Sequence, residues 1–458
     1  MKKLYVILTS LSLVLVAAGQ HQELNEKPGI WKEKETETDT TSLLAAFRKS
    51  TFSGHFRYYF MATQNRGQLS DYYANATGGG IKLETGRFHN FQVGISGFFA
   101  FNIGSSDLSK PDPLTQQKNR YEIGLFDIED PGNKTDIDRL EELYLRYHFK
   151  TGNLTAGKQL LNTPFINLQD GRMRPTGVEA VWADFNLAKK WKLQGGYIFK
   201  ISPRSTVRWY SIAESIGVYP SGVHTDGTKS LYAGNLESKG IILAGLQYRL
   251  SKNMKLRLWN MFTENIFNSA LLQADYERPL PGGSRFVAGA QLIRQDALHF
   301  GGAVDPAKTY FPRGTHSLSF GATAGLKNEN WDGSVNYTRI TKSGRYLLPR
   351  EWGRDPFYTF LPRERNEGLG DVHAWVAKLT RHWKKAGISS GLAWGIYDLP
   401  AVSDFAMNKY GLPSYNQLNL DLRYRFGGIL KGMDAQLLYV HKGKRGNSAL
   451  DDKFIIKR

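Results

Sequence analysis

From Phe52 onward the chain alternates. In "FSGHFRYYFMA" the residues Phe52, Phe56, Tyr58 and Phe60 share one face, while His55, Arg57 and Tyr59 share the other. The same two-faced spacing returns in "QVGISGFFAF", "ELYLRYHF", "WKLQGGYIF", "MKLRLWNMF", "LSFGATAGL", "ISSGLAWGI" and "LNLDLRYRF". Each run is about nine to eleven residues long, which is what a tilted strand needs to cross a bilayer. Strands of soluble sandwiches usually run only about five or six.

The polar faces sharpen this reading. In "LNLDLRYRF" the residues Leu418, Leu420, Leu422, Tyr424 and Phe426 form one stripe, and Asn419, Asp421, Arg423 and Arg425 form the other. One such strand would suit the wet face of a soluble sheet. Repetition over nearly the whole chain suits an all-β fold, a transmembrane antiparallel β-barrel with lipid outside and water inside, because closure alone satisfies every backbone donor and acceptor in lipid. Counting gives roughly seventeen convincing strands from Phe52 to Lys442, and barrels of this kind have an even number, so about 18 are expected with the last one short or missing. Only the stub Asp452 to Arg458 is left to supply it. Short connections such as "KTGN" and "LAKK" fit the periplasmic side. The long, charged and aromatic ones, "SPRSTVRWYSIAESIGVYPSGVHTDGTKSLYAGN" and "TKSGRYLLPREWGRDPFYTFLPRERNEGLGD", are expected outside.

The N-terminus adds an address. Lys2 and Lys3 precede an apolar core around Leu11 to Val16 and the small residues Ala17, Ala18 and Gly19, the layout of a signal peptide over residues 1–19. Residues 20–51 are polar and mixed in charge, with one short helical turn expected in "SLLAAF", and read as a tether ahead of a barrel over 52–458. A mean hydropathy of −0.42 and no later apolar run of helical-span length exclude a helical membrane protein. With no cysteine, disulfide frameworks and thiol chemistry are excluded. The formal charge of +18 favours anionic partners, and for an exported chain these are solutes or lipopolysaccharide, with no nucleic acid expected.

Strand phase puts Arg57, Arg146, Lys255, Arg257, Lys378, Arg423 and Arg425 on the non-lipid face. A row of such side chains can pass an anion from site to site, since a guanidinium stays charged and matches a carboxylate. The blander reading makes them ordinary lumen charges, paired with the acidic wall Glu142, Asp275, Glu277 and Asp421. Enzyme patterns are weak. "GISSG" formally contains a nucleophile-elbow spacing, but Ser389 lies within an alternating strand. The ten histidines show no metal-ligand spacing. "GGG" at Gly78 to Gly80 reads as a bulge or bend.

Several segments, in order, carry a family likeness: "YYANATGGGIKLETGRFHNFQVGISGFFAF", "GKQLLNTPFINLQDGRMRPTGVEAVW", "EWGRDPFYTFLPRERNEGLGDVHAW" and "MNKYGLPSY". Over about residues 43 to 442 the chain resembles the OprD family of outer-membrane porins. The resemblance implies an 18-stranded barrel whose third loop folds inward to narrow the pore, with a ladder of basic residues guiding a substrate carboxylate. The loop from Leu161 to Pro175 stands at that position. Arg172 and Arg174 are then constriction or loop-anchoring residues, with Asp170 paired to one of them. Gly157-Lys158-Gln159 departs from the Gly-Arg-Gln usual there.

The expected function is a porin for passive, substrate-selective diffusion of small carboxylate-bearing solutes (amino acids, short peptides, organic acids), without bond chemistry or cofactor. Expected partners are small anionic or zwitterionic solutes, outer-membrane lipid and lipopolysaccharide, and the outer-membrane assembly machinery, with the barrel a monomer or homotrimer. Two other classes compete: a barrel-borne outer-membrane hydrolase using Ser389 or a loop serine with histidine, and a secreted β-rich glycan- or surface-binding protein.

Overall fold

The computed structural model describes residues 31, 39–65, 67–116, 118–119, 121–168, 172–364 and 366–446. The expected signal peptide, most of the tether, Asp170 and the stub Asp452 to Arg458 lie outside the described residues.

Seventeen long strands follow one another in antiparallel order: β1 (Thr51–Thr63), β2 (Tyr72–Glu84), β3 (Phe91–Ser105), β4 (Arg139–Phe149), β5 (Gly152–Gln159), β6 (Gly177–Ala188), β7 (Trp191–Ser202), β8 (Ile241–Arg249), β9 (Met254–Thr263), β10 (Phe267–Pro279), β11 (Arg285–Ala297), β12 (His316–Lys327), β13 (Trp331–Ile340), β14 (Val372–Trp383), β15 (Ile388–Asp398), β16 (Tyr415–Arg425) and β17 (Asp434–Lys444). Each pairs with the next, and three two-residue strands complete one sheet. No ladder joins β1 to β17 among the described residues. This is the barrel the alternation predicted, with the seventeen strands counted in the sequence.

The outward stripes are the predicted ones. Phe52, Phe56, Tyr58 and Phe60 on β1 and Leu420, Leu422 and Tyr424 on β16 are all exposed, as are Leu258, Leu272, Trp375 and Trp394 on other strands. A surface so apolar would not stay in water, but it matches acyl chains. The ladder slips at Asn75/Ala76 between β2 and β3, not at Gly78 to Gly80, so the bulge sits two residues before the expected glycines.

The connections are asymmetric. Turns such as 150–151, 189–190 and 328–330 are tight at one end, and the long connections gather at the other. One of these, 341–371, departs from the expected exposure. It emerges at the long-loop end and then folds back into the barrel, burying Leu347, Leu348, Trp352, Phe357 and Leu361. There they pack with Phe165 and Ile166 of the third loop, Ile212 and Ile216 of 203–240, and inward Ile293, Ile340 and Val376. Burying an apolar side chain of this size contributes about 1.5–3 kcal/mol. The reason for folding in is compositional: "LLPREWGRDPFYTFL" holds too much aromatic and aliphatic surface to stay solvated.

This loop also shows how the sheet curls. Inward Gln291 donates to the Pro356 carbonyl at 3.1 Å and Gln295 to the Leu347 carbonyl at 2.7 Å, both from β11. Gln417 of β16 donates to the Pro362 carbonyl at 2.8 Å, and the Tyr397 hydroxyl of β15 to the Thr359 carbonyl at 2.9 Å. From the other wall, Asn167 of the third loop donates through its backbone to the Trp352 carbonyl at 3.1 Å and through its side chain to the Arg354 carbonyl at 3.0 Å. A flat sheet could not present the third loop, β11 and β16 to one loop.

The face assignment yields a test. Leu420→Arg should lower stability by about 2–4 kcal/mol, the penalty for a cation at mid-bilayer on the lipid face. Gln436→Arg, on the inward face of β17 where Gln436 already donates to Asp421, should stay within about 0.5 kcal/mol of wild type. Denaturant-driven unfolding from phospholipid vesicles measures both, and a neutral Leu420→Arg would invert the assigned faces.

Candidate functional site

The water-facing side chains are laid down by the same period that builds the outer belt, so basic and acidic residues two apart on a strand, or opposite across a ladder, meet in the lumen. Arg146 lies 3.3 Å from Glu84 and Lys82 lies 3.2 Å from Glu142. Arg257 meets Asp275 at 3.2 Å, with Lys255 directly across the ladder from the same carboxylate. Arg423 meets Asp421 at 2.9 Å. At the short-turn mouth Arg425 is 81% exposed at its side chain and reaches Asp434 at 3.3 Å, while Glu277 pairs with Arg285 at 2.6 Å. Lys378 faces inward on β14, in register with Ser334. Arg57 donates to the backbone carbonyl of Arg172, tying β1 to the third loop.

The predicted acidic residues are thus all paired, though partly with residues that strand reading passed over. Lys82 and Glu84 were legible in "GIKLE", where they alternate with Ile81 and Leu83. Lys158, the departure from the family pattern, pairs with Glu179 at 3.2 Å and lies opposite the outward-facing Leu143, so the change falls outside the lumen.

The two arginines of the third loop are buried, Arg172 at 5% exposure and Arg174 at 1%. Arg172 donates to the Tyr121 carbonyl at 2.6 Å and braces this loop against the 106–138 connection. The three guanidinium nitrogens of Arg174 have no hydrogen-bond partner among the described residues. Burial and the nearby Arg139 push its pKa down to about 10, against the pull of Glu141 and Asp127. Glu141 itself is held by Arg139, which spends its donors on that carboxylate and on the carbonyls of Pro175, Pro203 and Thr206.

A second knot, which sequence reading missed, locks the long loops to each other. Buried Glu367 accepts from Lys409 at 3.1 Å and from the Tyr410 hydroxyl at 2.6 Å, with Arg350 at 3.8 Å. Burial would raise the Glu367 carboxyl, but Lys409 and Arg350 outweigh it and hold the group below the usual carboxylate range. Glu351 accepts from the backbone N–H groups of Gly217 and Tyr219 at 3.0 and 2.8 Å, joining the loop 341–371 to 203–240. Nothing in the local spacing of Arg350, Glu367 and Lys409 announces that three separate turns meet.

The enzyme reading finds a partial cluster. Ser389 Oγ lies 3.1 Å from His382 Nδ1 on neighbouring strands. No carboxylate bonds to His382 among the described residues, since Asp421 is engaged by Arg423 and Gln436. Ser389 sits inside strand β15, not on a strand-to-helix turn. No group of three His, Asp or Glu that could hold a metal ion occurs among the described residues.

Comparison with known proteins agrees with this architecture. Residues 113–320 match the family model described as outer membrane porin, OprD family. No curated protein matches the chain. Among solved structures, OpdK of Pseudomonas aeruginosa with vanillate superposes with a TM-score of 0.66 at 14% identity, covering 87% of this chain and 94% of that one. OccK9 (OpdG) of the same organism gives 0.68 at 14% identity over 88% and 96%. OccAB4 of Acinetobacter baumannii gives 0.66 at 15% identity over 86% and 93%. The likeness of this chain to the OprD family, read first from its motifs, is therefore found again in the family match and in the barrel itself, and it places the protein in the outer membrane of a Gram-negative bacterium.

Proposed function

We propose that the barrel is a passive channel for small solutes bearing a carboxylate, led past a narrowed section by the inward basic residues. The observation that carries this reading is the pairing itself: Arg146, Arg257 and Arg423 each stand beside a partly exposed carboxylate in a water-facing wall. A solute carboxylate can take the place of Glu84, Asp275 or Asp421 on its guanidinium at little net cost, because partly solvated pairs of this kind are worth only about 0–1 kcal/mol. The third loop and the loop 341–371 meet across the lumen and supply the narrowing. In this reading Arg57 and Arg172 position the third loop and Arg174 supplies positive potential behind it. Vanillate, the ligand named for OpdK, is a small carboxylate, which agrees with the class proposed here.

Charge removal tests the wall. In planar bilayers, Arg146→Ala and Arg423→Ala should each weaken block by a small carboxylate such as benzoate by roughly threefold to tenfold and shift selectivity toward cations. Unchanged block and reversal potential in both variants would remove the wall from the account.

The loop clasp has a pH signature. The Glu367 pKa is depressed in the folded state, so its contribution is fully present above the ordinary carboxylate range and is lost only as pH falls through the lower, folded value. Channels should stay quiet at neutral pH and show loop-derived flicker and protease cleavage within 341–371 once the medium is acid enough. Glu367→Gln leaves Lys409 and Arg350 buried without their anion, at a cost of about 3–5 kcal/mol, and should show the same flicker already at neutral pH.

A further inference from the structure

Arginines on the lipid face are neutralised at one end of the barrel and not at the other. Near the long loops, Arg294 of β11 lies 2.6 Å from Asp296, and Arg339 of β13 lies 2.6 Å from Asp371. Both share the strand phase of exposed apolar residues, Leu292 and Val335. Near the short turns, Arg278 of β10 and Arg381 of β14 have the same outward phase, set by exposed Leu272 and Leu379. Neither has a carboxylate partner among the described residues.

Arg381 has tryptophan in place of a carboxylate. Its guanidinium carbon stands 4.4 Å from the ring centre of Trp331, directly across the ladder, and 5.6 Å from that of Trp383 on its own strand. Both indoles are exposed on the outer surface, at 39% and 43%, at the level where lipid headgroups meet water. Toward the membrane the patch borders Leu379, Val335 and Leu392, all exposed and apolar. Toward water it borders Lys384 and Lys385 of the short turn after β14. The carboxylates at this end are already engaged: Glu329 pairs with Lys384 at 3.4 Å, and the inward Asp332 with Lys327 at 2.9 Å. Ser390 of β15 stands across the ladder from Arg381 on the same outer face.

We propose that Arg381, Trp331 and Trp383 form a phospholipid site, in which the guanidinium binds the phosphodiester of a lipid in the leaflet on the short-turn side. A cation beside hydrocarbon is costly without its anion, and a long side chain near a strand end can reach the headgroup layer to find one. Stacking on indole covers the flat face of a guanidinium and leaves its N–H edge open, a fork that matches two phosphate oxygens. The indoles serve the same lipid, with rings against the upper acyl chain and N–H groups turned to the headgroup. Lys385 adds positive potential at this level, which favours an anionic headgroup such as phosphatidylglycerol over a zwitterionic one. At the long-loop end Asp296 and Asp371 already supply the anion, so no lipid is needed to neutralise Arg294 or Arg339. The site depends on the outward faces of the strands and is independent of the solute carried.

Native mass spectrometry of the whole barrel in an uncharged detergent, titrated with phosphatidylglycerol, tests the site. Arg381→Gln should weaken retention of the first-bound lipid by roughly tenfold, the loss of one bidentate charged contact. Arg381→Lys keeps the charge without the fork, and Trp331→Leu keeps the fork without the stacking ring; each should weaken retention by roughly threefold. Inorganic phosphate added at the lipid's own concentration should leave retention unchanged. Heat-modifiable migration in detergent gels establishes that each variant is a folded barrel before lipid is added, and if Arg381→Gln does not fold, Arg381→Lys and Trp331→Leu decide the matter. Equal retention by wild type and variants overturns the proposal, as does displacement of the lipid by inorganic phosphate, since the arginine then holds a free anion.

Discussion

A peptide group in hydrocarbon has no water to bond, so every N–H and C=O of a spanning strand must be met by its neighbour. That constraint makes the sheet continuous from β1 to β17 and forbids irregular backbone on the lipid side. It also fixes the side-chain period at two, so each strand carries one lipid-facing and one lumen-facing set. Leu420 and Leu422 outward imply Asp421 and Arg423 inward, with no separate decision for the charges.

Inside, the same requirement reappears for the loops. A loop folded into a barrel loses water from its carbonyls, and these need donors from the wall. Gln291, Gln295 and Gln417 supply them on β11 and β16, with Asn419 donating to the same Pro362 carbonyl as Gln417. The wall is therefore divided by chemistry. From mid-strand toward the long loops, inward positions of β11 and β16 carry neutral amides that hold loop backbone, and nearer the short turns β2, β4, β9, β10 and β16 carry charges left facing water. Where loops meet each other without strand support, the Glu367, Lys409 and Arg350 cluster joins them instead.

Strand number, strand phase and the two faces were legible because period two is a local signal repeated seventeen times. Strand phase places Arg57, Arg146, Arg257 and Arg423 inward, and Glu84, the partner of Arg146, and Lys82, the partner of Glu142, could have been read from the same alternation in "GIKLE". Loop placement was not legible in the same way. The segment 341–371 has no period, and its fate depends on contacts with residues such as Asn167 and Ser215 that lie far away in the chain. Its excess of Trp, Phe and Leu was the one available hint that it would not stay in solvent.

The paired walls bear on how a channel can be selective and still conduct. A bare row of guanidinium groups would hold a carboxylate tightly at its first site and release it slowly, whereas conduction needs binding strong enough to enter and weak enough to leave. In the proposed channel, a carboxylate beside each guanidinium would lower the depth of each well, since the solute would displace Glu84, Asp275 or Asp421 and these would return as it moved on. Such an exchange would keep the number of charge contacts nearly constant along the proposed path, leaving the surface flat for an anion that fits. For a cation the proposed path would not be flat, because the buried Arg174 adds positive potential and its guanidinium has no hydrogen-bond partner among the described residues. On the proposed reading, selectivity comes from which partner can be exchanged, and only secondarily from net charge.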